Sequence, residues 1–188
     1  MDADITLTVD GHRRALRVDT RTSLLDALRE HLHNTAPKKG CDHGQCGSCT
    51  VLLAGRRVLS CLILAVAADG GDVTTAAGLG DARNPHPLQQ AFVDHDGLQC
   101  GYCTPGQVCS AAGMLAEAAQ GWPSAATPAE AVADNTAPRL SAAEIRERMS
   151  GNLCRCGAYA GIVAAVQEAV QDSGASAVGD SGGPGGPR

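Results

Sequence analysis

The residues of this chain that could do chemistry are its nine cysteines, because eight of them fall into closely spaced groups. The first group is formed by Cys41, Cys46, Cys49 and Cys61. The second group is formed by Cys100, Cys103, Cys154 and Cys156. Thiolates are ligands that both zinc and iron–sulfur clusters favour. The chain therefore carries two candidate metal sites, each with four sulfur ligands.

The first group has the spacing C-x4-C-x2-C followed by a fourth cysteine, which matches the plant-type ferredoxin pattern for a [2Fe–2S] cluster. Such a loop must wrap a compact inorganic core while aiming three sulfurs inward. Gly44 and Gly47 lie between the ligands, where a tight loop needs residues that accept positive φ. His43 could replace a thiolate, as histidine does in Rieske centres. Because four cysteines are already available there, we expect His43 to face solvent.

The spacing of the second group does not decide which metal it would bind. A C-x2-C pair is shared by zinc sites and redox dithiols, and four thiolates hold either Zn²⁺ or an iron–sulfur cluster. The first group favours iron–sulfur here as well, because a chain with one electron-carrying centre often has a second. Cys109 stands outside both groups on the apolar side of a predicted helix. We expect it to be buried packing material.

The composition excludes several classes of protein. A net charge of −5 and an aromatic content of 2% leave no basic stripe and little stacking surface, so nucleic-acid binding is not expected. No apolar run approaches the roughly 20 residues of a membrane span. The N-terminus lacks the pattern of a secretory leader, so we expect a cytoplasmic protein, or a periplasmic one if an export leader was removed. In a reducing cytoplasm, grouped cysteines indicate metal binding rather than disulfides.

The N-terminal part has the pattern of a small α+β unit. Residues 3–9 and 12–18 alternate apolar and polar on either side of Asp10-Gly11, which predicts a β-hairpin. Ser23 can cap a helix that ends before Gly40. Further strands are predicted over residues 50–54, 58–66 and 72–76.

The pattern then changes to helices. Thr104 is predicted to cap a helix that continues to about residue 119, with Pro105 at its first position. Ser141 opens another helix, which runs to about Met149. Two more helices are predicted over residues 87–95 and 158–171. Residues 120–140 are expected to be an excursion between helices that includes one short helical turn.

These elements predict an α+β fold with two domains and a tail. The first domain is placed at residues 1–78, and the second, a four-helix bundle, at residues 79–172. Gly78-Leu79-Gly80 is interpreted as the linker, and residues 173–188 as a disordered tail. No nucleophile elbow, phosphate-binding loop or dinucleotide fingerprint is found. We therefore expect a chain that moves electrons while the bond-making chemistry occurs on another chain.

Three segments of the sequence resemble one known family: CDHGQCGSCTVLL, HDGLQCGYCTPGQVCSAAGML and MSGNLCRCGAY. They are similar to the small iron–sulfur subunit of molybdenum hydroxylases, the group of xanthine dehydrogenase, aldehyde oxidoreductase and carbon monoxide dehydrogenase. The resemblance extends over roughly residues 3–172. It implies a ferredoxin-like (β-grasp) N-terminal domain, a C-terminal four-helix domain and a [2Fe–2S] cluster at both sites.

The resemblance also implies roles for residues and partners. The first cysteine group matches the ligands of the cluster that faces the flavin, and the second matches those of the cluster nearest molybdenum. Gln99 and Cys156 match positions that approach the pterin of the molybdenum cofactor. In this family a large subunit binds molybdopterin, here expected as the cytosine dinucleotide form, and a medium subunit binds FAD. Substrate is hydroxylated at molybdenum, and electrons pass through both clusters to FAD.

Two features depart from many members of the family. The chain reads Cys154-Arg-Cys156-Gly157-Ala-Tyr159 where many members have CRCTGY, and it contains the 120–140 excursion. Both are similar to bacterial aldehyde oxidoreductases whose small subunit is often exported by a twin-arginine leader. We therefore expect an aldehyde-oxidising heterotrimer. The alternatives are a freestanding two-cluster ferredoxin-type carrier and a zinc-binding assembly module.

Overall fold

The computed structural model describes residues 1–134 and 137–172 of the chain. Within these residues, strands dominate the first part of the chain and helices the second. The predicted order of a mixed helix and strand protein is therefore confirmed. The predicted disordered tail at 173–188 lies outside the described residues.

The N-terminal part is built on a five-stranded mixed sheet. Its strands are β1 (Asp2–Val9), β2 (His12–Asp19), β3 (Thr50–Leu53), β4 (Arg56–Leu59) and β5 (Asp72–Thr74). Their order across the sheet is β2-β1-β5-β3-β4. The predicted hairpin is confirmed, with Thr6 opposite Ala15 and with positive φ at Asp10 and Gly11 in the turn. Strand β5 lies between the two hairpins, parallel to β1 and antiparallel to β3.

The predicted strand over 58–66 is wrong beyond Leu59. The chain leaves the sheet there and forms 3₁₀ turns at Ser60–Leu62 and Ala65–Ala68. The buried Ser60 hydroxyl donates to the carbonyl of Cys49 at 2.7 Å, and this contact turns the chain away from the sheet. Cys61, the next residue, is thereby placed beside the first cysteine loop.

One face of the sheet is covered by the first helix, α1 (Leu24–Asp26), which continues as a π-helical turn at Ala27–His31. Ser23 caps it as predicted, because its Oγ accepts the Asp26 N–H at 3.1 Å. The sheet, the helix and the turns share a buried core of aliphatic residues: Ile5, Leu7, Val9, Val18, Leu24, Ala27, Leu28, Val51, Ala65, Ala68 and Val73.

The C-terminal part consists of helices around a second core. They are α2 (Ala76–Leu79), α3 (Pro87–Asp94), α4 (Thr104–Ala119), α5 (Ala129–Ala133), α6 (Ala142–Met149) and α7 (Tyr159–Asp172). Helices α3, α4, α6 and α7 contribute Phe92, Met114, Ile145 and Val166 to this core. Within the described ranges, no helix is long and apolar enough to cross a membrane.

Helix starts were predicted with mixed success. Ser141 caps α6 as expected, since its Oγ accepts the Glu144 N–H at 3.2 Å. Helix α4 begins at Thr104, but Cys103 occupies the N-cap position, so the capping role predicted for Thr104 is wrong. The short helix α2 occupies most of the stretch interpreted as a linker, and Leu79 packs against the second core.

Two histidines that the sequence did not single out have structural roles. His86 caps α3, because its Nδ1 accepts the Leu88 N–H while the Gln89 side chain accepts the His86 N–H at 2.8 Å. His95 follows α3 and contacts Glu168 of α7, with 2.5 Å between Nε2 and Oε2. Both help to fix α3 in the position from which it leads into the second cysteine group.

Candidate iron–sulfur sites

The first cysteine loop is closed by backbone contacts. The Lys38 N–H donates to the Ser48 carbonyl at 3.0 Å, so the segment returns on itself. Gly44 and Gly47 have φ of 81° and 71°, as their place between the cysteines predicts. A Cβ at Gly44 would lie 2.5 Å from Leu62 Cδ1. The positive φ is what favours glycine there, because Leu62 is an exposed side chain that can move aside.

The thiols of the first group meet in pairs. Cys41 lies within hydrogen-bonding reach of Cys46, and Cys61 lies within reach of Cys49. A [2Fe–2S] cluster divides four thiolates between two irons, so paired thiols suit its chemistry. In residues 1–134 and 137–172, no three His, Cys, Asp or Glu side chains are placed to hold a single metal ion.

The pKa values within the first group diverge. The backbone N–H of His43 contributes most to lowering the pKa of Cys41 to about 6, and the Gln45 N–H contributes at 3.2 Å from its Sγ. Burial and the neighbouring Cys49 raise the pKa of Cys61 to about 11. Because ligands bind as thiolates, Cys41 is prepared for metal binding, whereas Cys61 must lose its proton as metal binds.

The second group gathers at the start of α4 and the segment before α7. Cys103 lies within hydrogen-bonding reach of Cys154, and Cys100 is close enough to interact with Cys103 by charge. Cys103 and Cys156 both pack against the helical core. Cys100 and Cys103 stand just before α4, where the helix dipole favours thiolate charge.

Burial raises the thiol pKa values of the second group, whereas backbone N–H donors lower them. Burial raises the pKa of Cys103 to about 11. Burial also raises the pKa of Cys154, but backbone N–H groups that include those of Ala158 and Cys156 outweigh it and lower the pKa overall. The Ala158 N–H lies 3.4 Å from Cys154 Sγ. Such N–H donors stabilise a thiolate and, in an iron–sulfur site, raise its potential.

One cysteine of the first group and three of the second line the same cavity. Its volume is about 390 Å³, and its lining includes Cys46 from the first group and Cys100, Cys103 and Cys154 from the second. The structure thus brings Cys46 near three thiols that lie between 54 and 108 positions further along the chain. An arrangement of neighbouring thiolate sites is suited to electron transfer over a short distance.

Other residues that the sequence singled out have simpler positions. His43 is exposed as predicted, with its Nδ1 2.5 Å from the Cys41 carbonyl oxygen. Gln99 and Arg155 are exposed beside the second group. Cys109 is 1% exposed within α4, and burial raises the pKa of its thiol to about 12. The expectation that Cys109 is buried packing material is confirmed.

Cys109→Ala is expected to leave both cysteine groups able to bind iron, because a buried, protonated thiol is no ligand. Removing one buried sulfur atom should lower the free energy of unfolding by about 1 kcal/mol. The measurement is the iron and sulfide content of the purified variant beside the parent chain. Loss of either would show that Cys109 belongs to a site.

Four polar residues are buried in the helical part, at or near its junction with the first cysteine loop. Asn152, Gln107, Glu144 and Arg148 are all buried. The side chain of Asn152 contacts the first cysteine loop, although Gly47, its partner there, is 105 positions away. Its place two residues before Cys154 is the signal that could have drawn attention to it, since a buried polar residue must find hydrogen-bond partners.

Two family models match the chain. A 2Fe-2S iron-sulfur cluster binding domain matches residues 7–72, and a [2Fe-2S] binding domain matches residues 75–167. The aldehyde oxidoreductase iron-sulfur-binding subunit PaoA of Escherichia coli (strain K12) is 58% identical over 165 residues, which are 88% of this chain and 70% of PaoA. The chain belongs to the family of iron–sulfur subunits of molybdenum hydroxylases.

Subunits of other hydroxylases and oxidoreductases are also similar to this chain. The nicotine 6-hydroxylase small subunit of Paenarthrobacter nicotinovorans is 40% identical, with 88% of each chain covered. The crystal structure of quinoline 2-oxidoreductase from Pseudomonas putida 86 matches with a TM-score of 0.75 and 37% identity, over 92% of this chain and 98% of that chain. Both matched domains of the present chain are of the [2Fe–2S] type, which answers the question that the spacing of the second group left open.

Proposed function

We propose that this chain is the electron-transfer subunit of a molybdenum-dependent hydroxylase. In this role it relays electrons from a molybdopterin centre on a large partner subunit to FAD on a medium subunit. The observation that carries the proposal is that two four-cysteine groups, each in a [2Fe–2S] domain, approach each other at one cavity, which Cys46 of the first group and Cys100, Cys103 and Cys154 of the second line. Bound clusters supply one-electron carriers. The protein residues hold them and fix their separation.

The proposed ligand sets are supported by the thiols that lie near each other: Cys41 with Cys46, Cys49 with Cys61, and Cys103 with Cys154. For the cluster on the flavin side we propose Cys41, Cys46, Cys49 and Cys61. For the cluster on the molybdenum side we propose Cys100, Cys103, Cys154 and Cys156. The pairs Cys41–Cys46 and Cys49–Cys61 would each bind one iron of the first cluster, and this is supported by their mutual reach. Gln99 and Cys156 are the proposed neighbours of the pterin.

The proposed domains correspond to the two apolar cores. A β-grasp domain is proposed for residues 1–78 and a four-helix bundle, built from α3, α4, α6 and α7, for residues 79–172. Support comes from the separate cores of the sheet and of the helices. Residues 120–140 would be an insertion within the second domain.

Exposed apolar side chains lie beside both cysteine groups, and they favour a permanent subunit over a freestanding carrier. Leu62 and Leu64 are exposed next to the first group. Tyr102, Leu153 and Tyr159 are exposed around the second. Large apolar side chains that are exposed near one another often mark a surface that a partner covers. Two separate patches fit two partner subunits, one on each side.

The proposed substrate class is aldehydes, oxidised to carboxylic acids. The support is that PaoA, named as an aldehyde oxidoreductase subunit, shares 58% identity, against 40% for the nicotine 6-hydroxylase subunit. We propose a heterotrimer whose molybdopterin is the cytosine dinucleotide form. A cytoplasmic location, or a periplasmic one after export, stays a prediction that cell fractionation would test.

The test is anaerobic purification of the chain from its native source. We expect about four irons and four acid-labile sulfides per chain, and two distinct paramagnetic signals after reduction. Two larger subunits should elute with it on size exclusion. Zinc without sulfide would contradict the iron–sulfur assignment, and elution as a monomer beside a fully active enzyme would contradict the subunit role.

A further inference from the structure

Asn152 is buried between the two cysteine groups and contacts both parts of the chain. Its side chain is 7% exposed. Its Nδ2 donates to the carbonyl of Gly47 at 2.9 Å and to Thr50 Oγ1 at 3.1 Å, both in or next to the first cysteine loop. The same nitrogen lies 3.2 Å from the Gly106 carbonyl at the start of α4. One side chain therefore joins three segments that meet between the proposed clusters.

The backbone next to Asn152 makes a direct contact between the two groups. The Leu153 N–H donates to the carbonyl of Cys46 at 2.9 Å. Leu153 is bonded to Cys154, so one hydrogen bond and one residue separate a cysteine of the first group from a cysteine of the second. Electronic coupling decays less along bonds and hydrogen bonds than across an empty gap. This contact is therefore the short route between the two proposed ligand sets.

Close packing leaves the contact little freedom. A Cβ at Gly47 would lie 2.5 Å from the Gly151 carbonyl, and a Cβ at Gly106 would lie 2.5 Å from the Gly47 carbonyl. The Asn152 carbonyl also accepts from Gln107 Nε2 at 2.9 Å. Buried polar atoms are costly when their partners are removed. The positions of the two loops are thus coupled through Asn152.

We propose that Asn152 is a positioning residue that locks the two cysteine loops together and so sets the electronic coupling between the two clusters. The proposal rests on the proposed function, since it concerns the transfer between those clusters. Asn152 does not ligate iron in this scheme. It holds the Cys46 carbonyl against the Leu153 amide, and the transfer that this contact serves moves one electron with no bond formed or broken.

The test compares the parent chain with Asn152→Leu, each purified as the native complex. Leucine has nearly the same volume but cannot donate, so the acceptors at Gly47, Thr50 and Gly106 lose their shared donor. We expect unchanged iron and sulfide content, a smaller magnetic splitting between the two reduced clusters, and electron transfer between them that is slower severalfold. Amide hydrogen exchange at Leu153 should become faster.

Asn84→Leu is the matched control, because Asn84 is exposed in the loop before α3 and should change none of these signals. If Asn152→Leu fails to retain a cluster, Thr50→Val replaces it, since that change is isosteric and removes one acceptor of Asn152 together with the hydroxyl that donates to the Gly47 carbonyl at 2.7 Å. A smaller decrease in splitting is then expected. Either variant with both clusters and an unchanged splitting would overturn the proposal. Absence of iron from the parent chain would overturn the proposed function instead.

Discussion

Cys46→Ser is expected to remove the first cluster and to stop electron delivery to a flavin-side acceptor. Cys46 lies with Cys41 as one thiol pair, and a serine hydroxyl is a poor substitute for a thiolate ligand. The iron content should fall from about four to about two per chain, and one of two paramagnetic signals should remain. Substrate should still reduce the remaining cluster, because the second cysteine group is intact.

The Cys109→Ala chain is the control for this experiment, because it also removes a thiol but removes no proposed ligand. Cys103→Ser makes the same change in the second cysteine group. It should remove the second cluster and leave the first one bound but no longer reduced by substrate. Normal turnover of Cys46→Ser with a flavin-side acceptor would show that the proposed order of the two clusters is wrong.

The cysteine groups could be predicted from the sequence because ligand spacing is a local property. Three thiols of the first group come from one nine-residue loop, and its glycines have the positive φ that the spacing predicts. The hairpin and the Ser23 and Ser141 caps are local in the same sense. Each depends on residues within a few positions of one another, where composition and spacing carry the information.

The parts that the sequence did not reveal depend on contacts between distant residues. The strand predicted over 58–66 ends early because Ser60 bonds to the carbonyl of Cys49. Asn152 reaches Gly47, which is 105 positions away. Arg57 of β4 forms a two-bond ion pair with Glu117 of α4, at 2.8 Å for each bond. No local sequence pattern marks such partners, so the contacts between the sheet part and the helical part could be identified only from the structure.

A buried ion pair on α6 holds Trp122 and Thr127, both from the predicted excursion, to the helical part. Arg148 and Glu144 are 3% and 2% exposed, with 2.8 Å between Nη2 and Oε1. Glu144 Oε1 also accepts from the Thr127 hydroxyl at 2.8 Å, and the Arg148 guanidinium donates to the Trp122 carbonyl. The Arg148 carbonyl accepts from Arg57 Nη1 at 2.7 Å. This network connects β4, α6 and the excursion.

Arg148→Met is expected to lower the free energy of unfolding by about 3–5 kcal/mol, because it leaves the Glu144 carboxylate buried without its cation. Denaturant unfolding of the chain, compared with the parent under the same iron loading, measures the loss. Arg146→Met is the matched control, since Arg146 lies exposed on the same helix. The double variant Glu144→Leu/Arg148→Met should lose less than the single one, because no charge is then left unpaired. A change below about 1 kcal/mol for Arg148→Met, which is usual for surface sites, would show that the pair does not stabilise this junction.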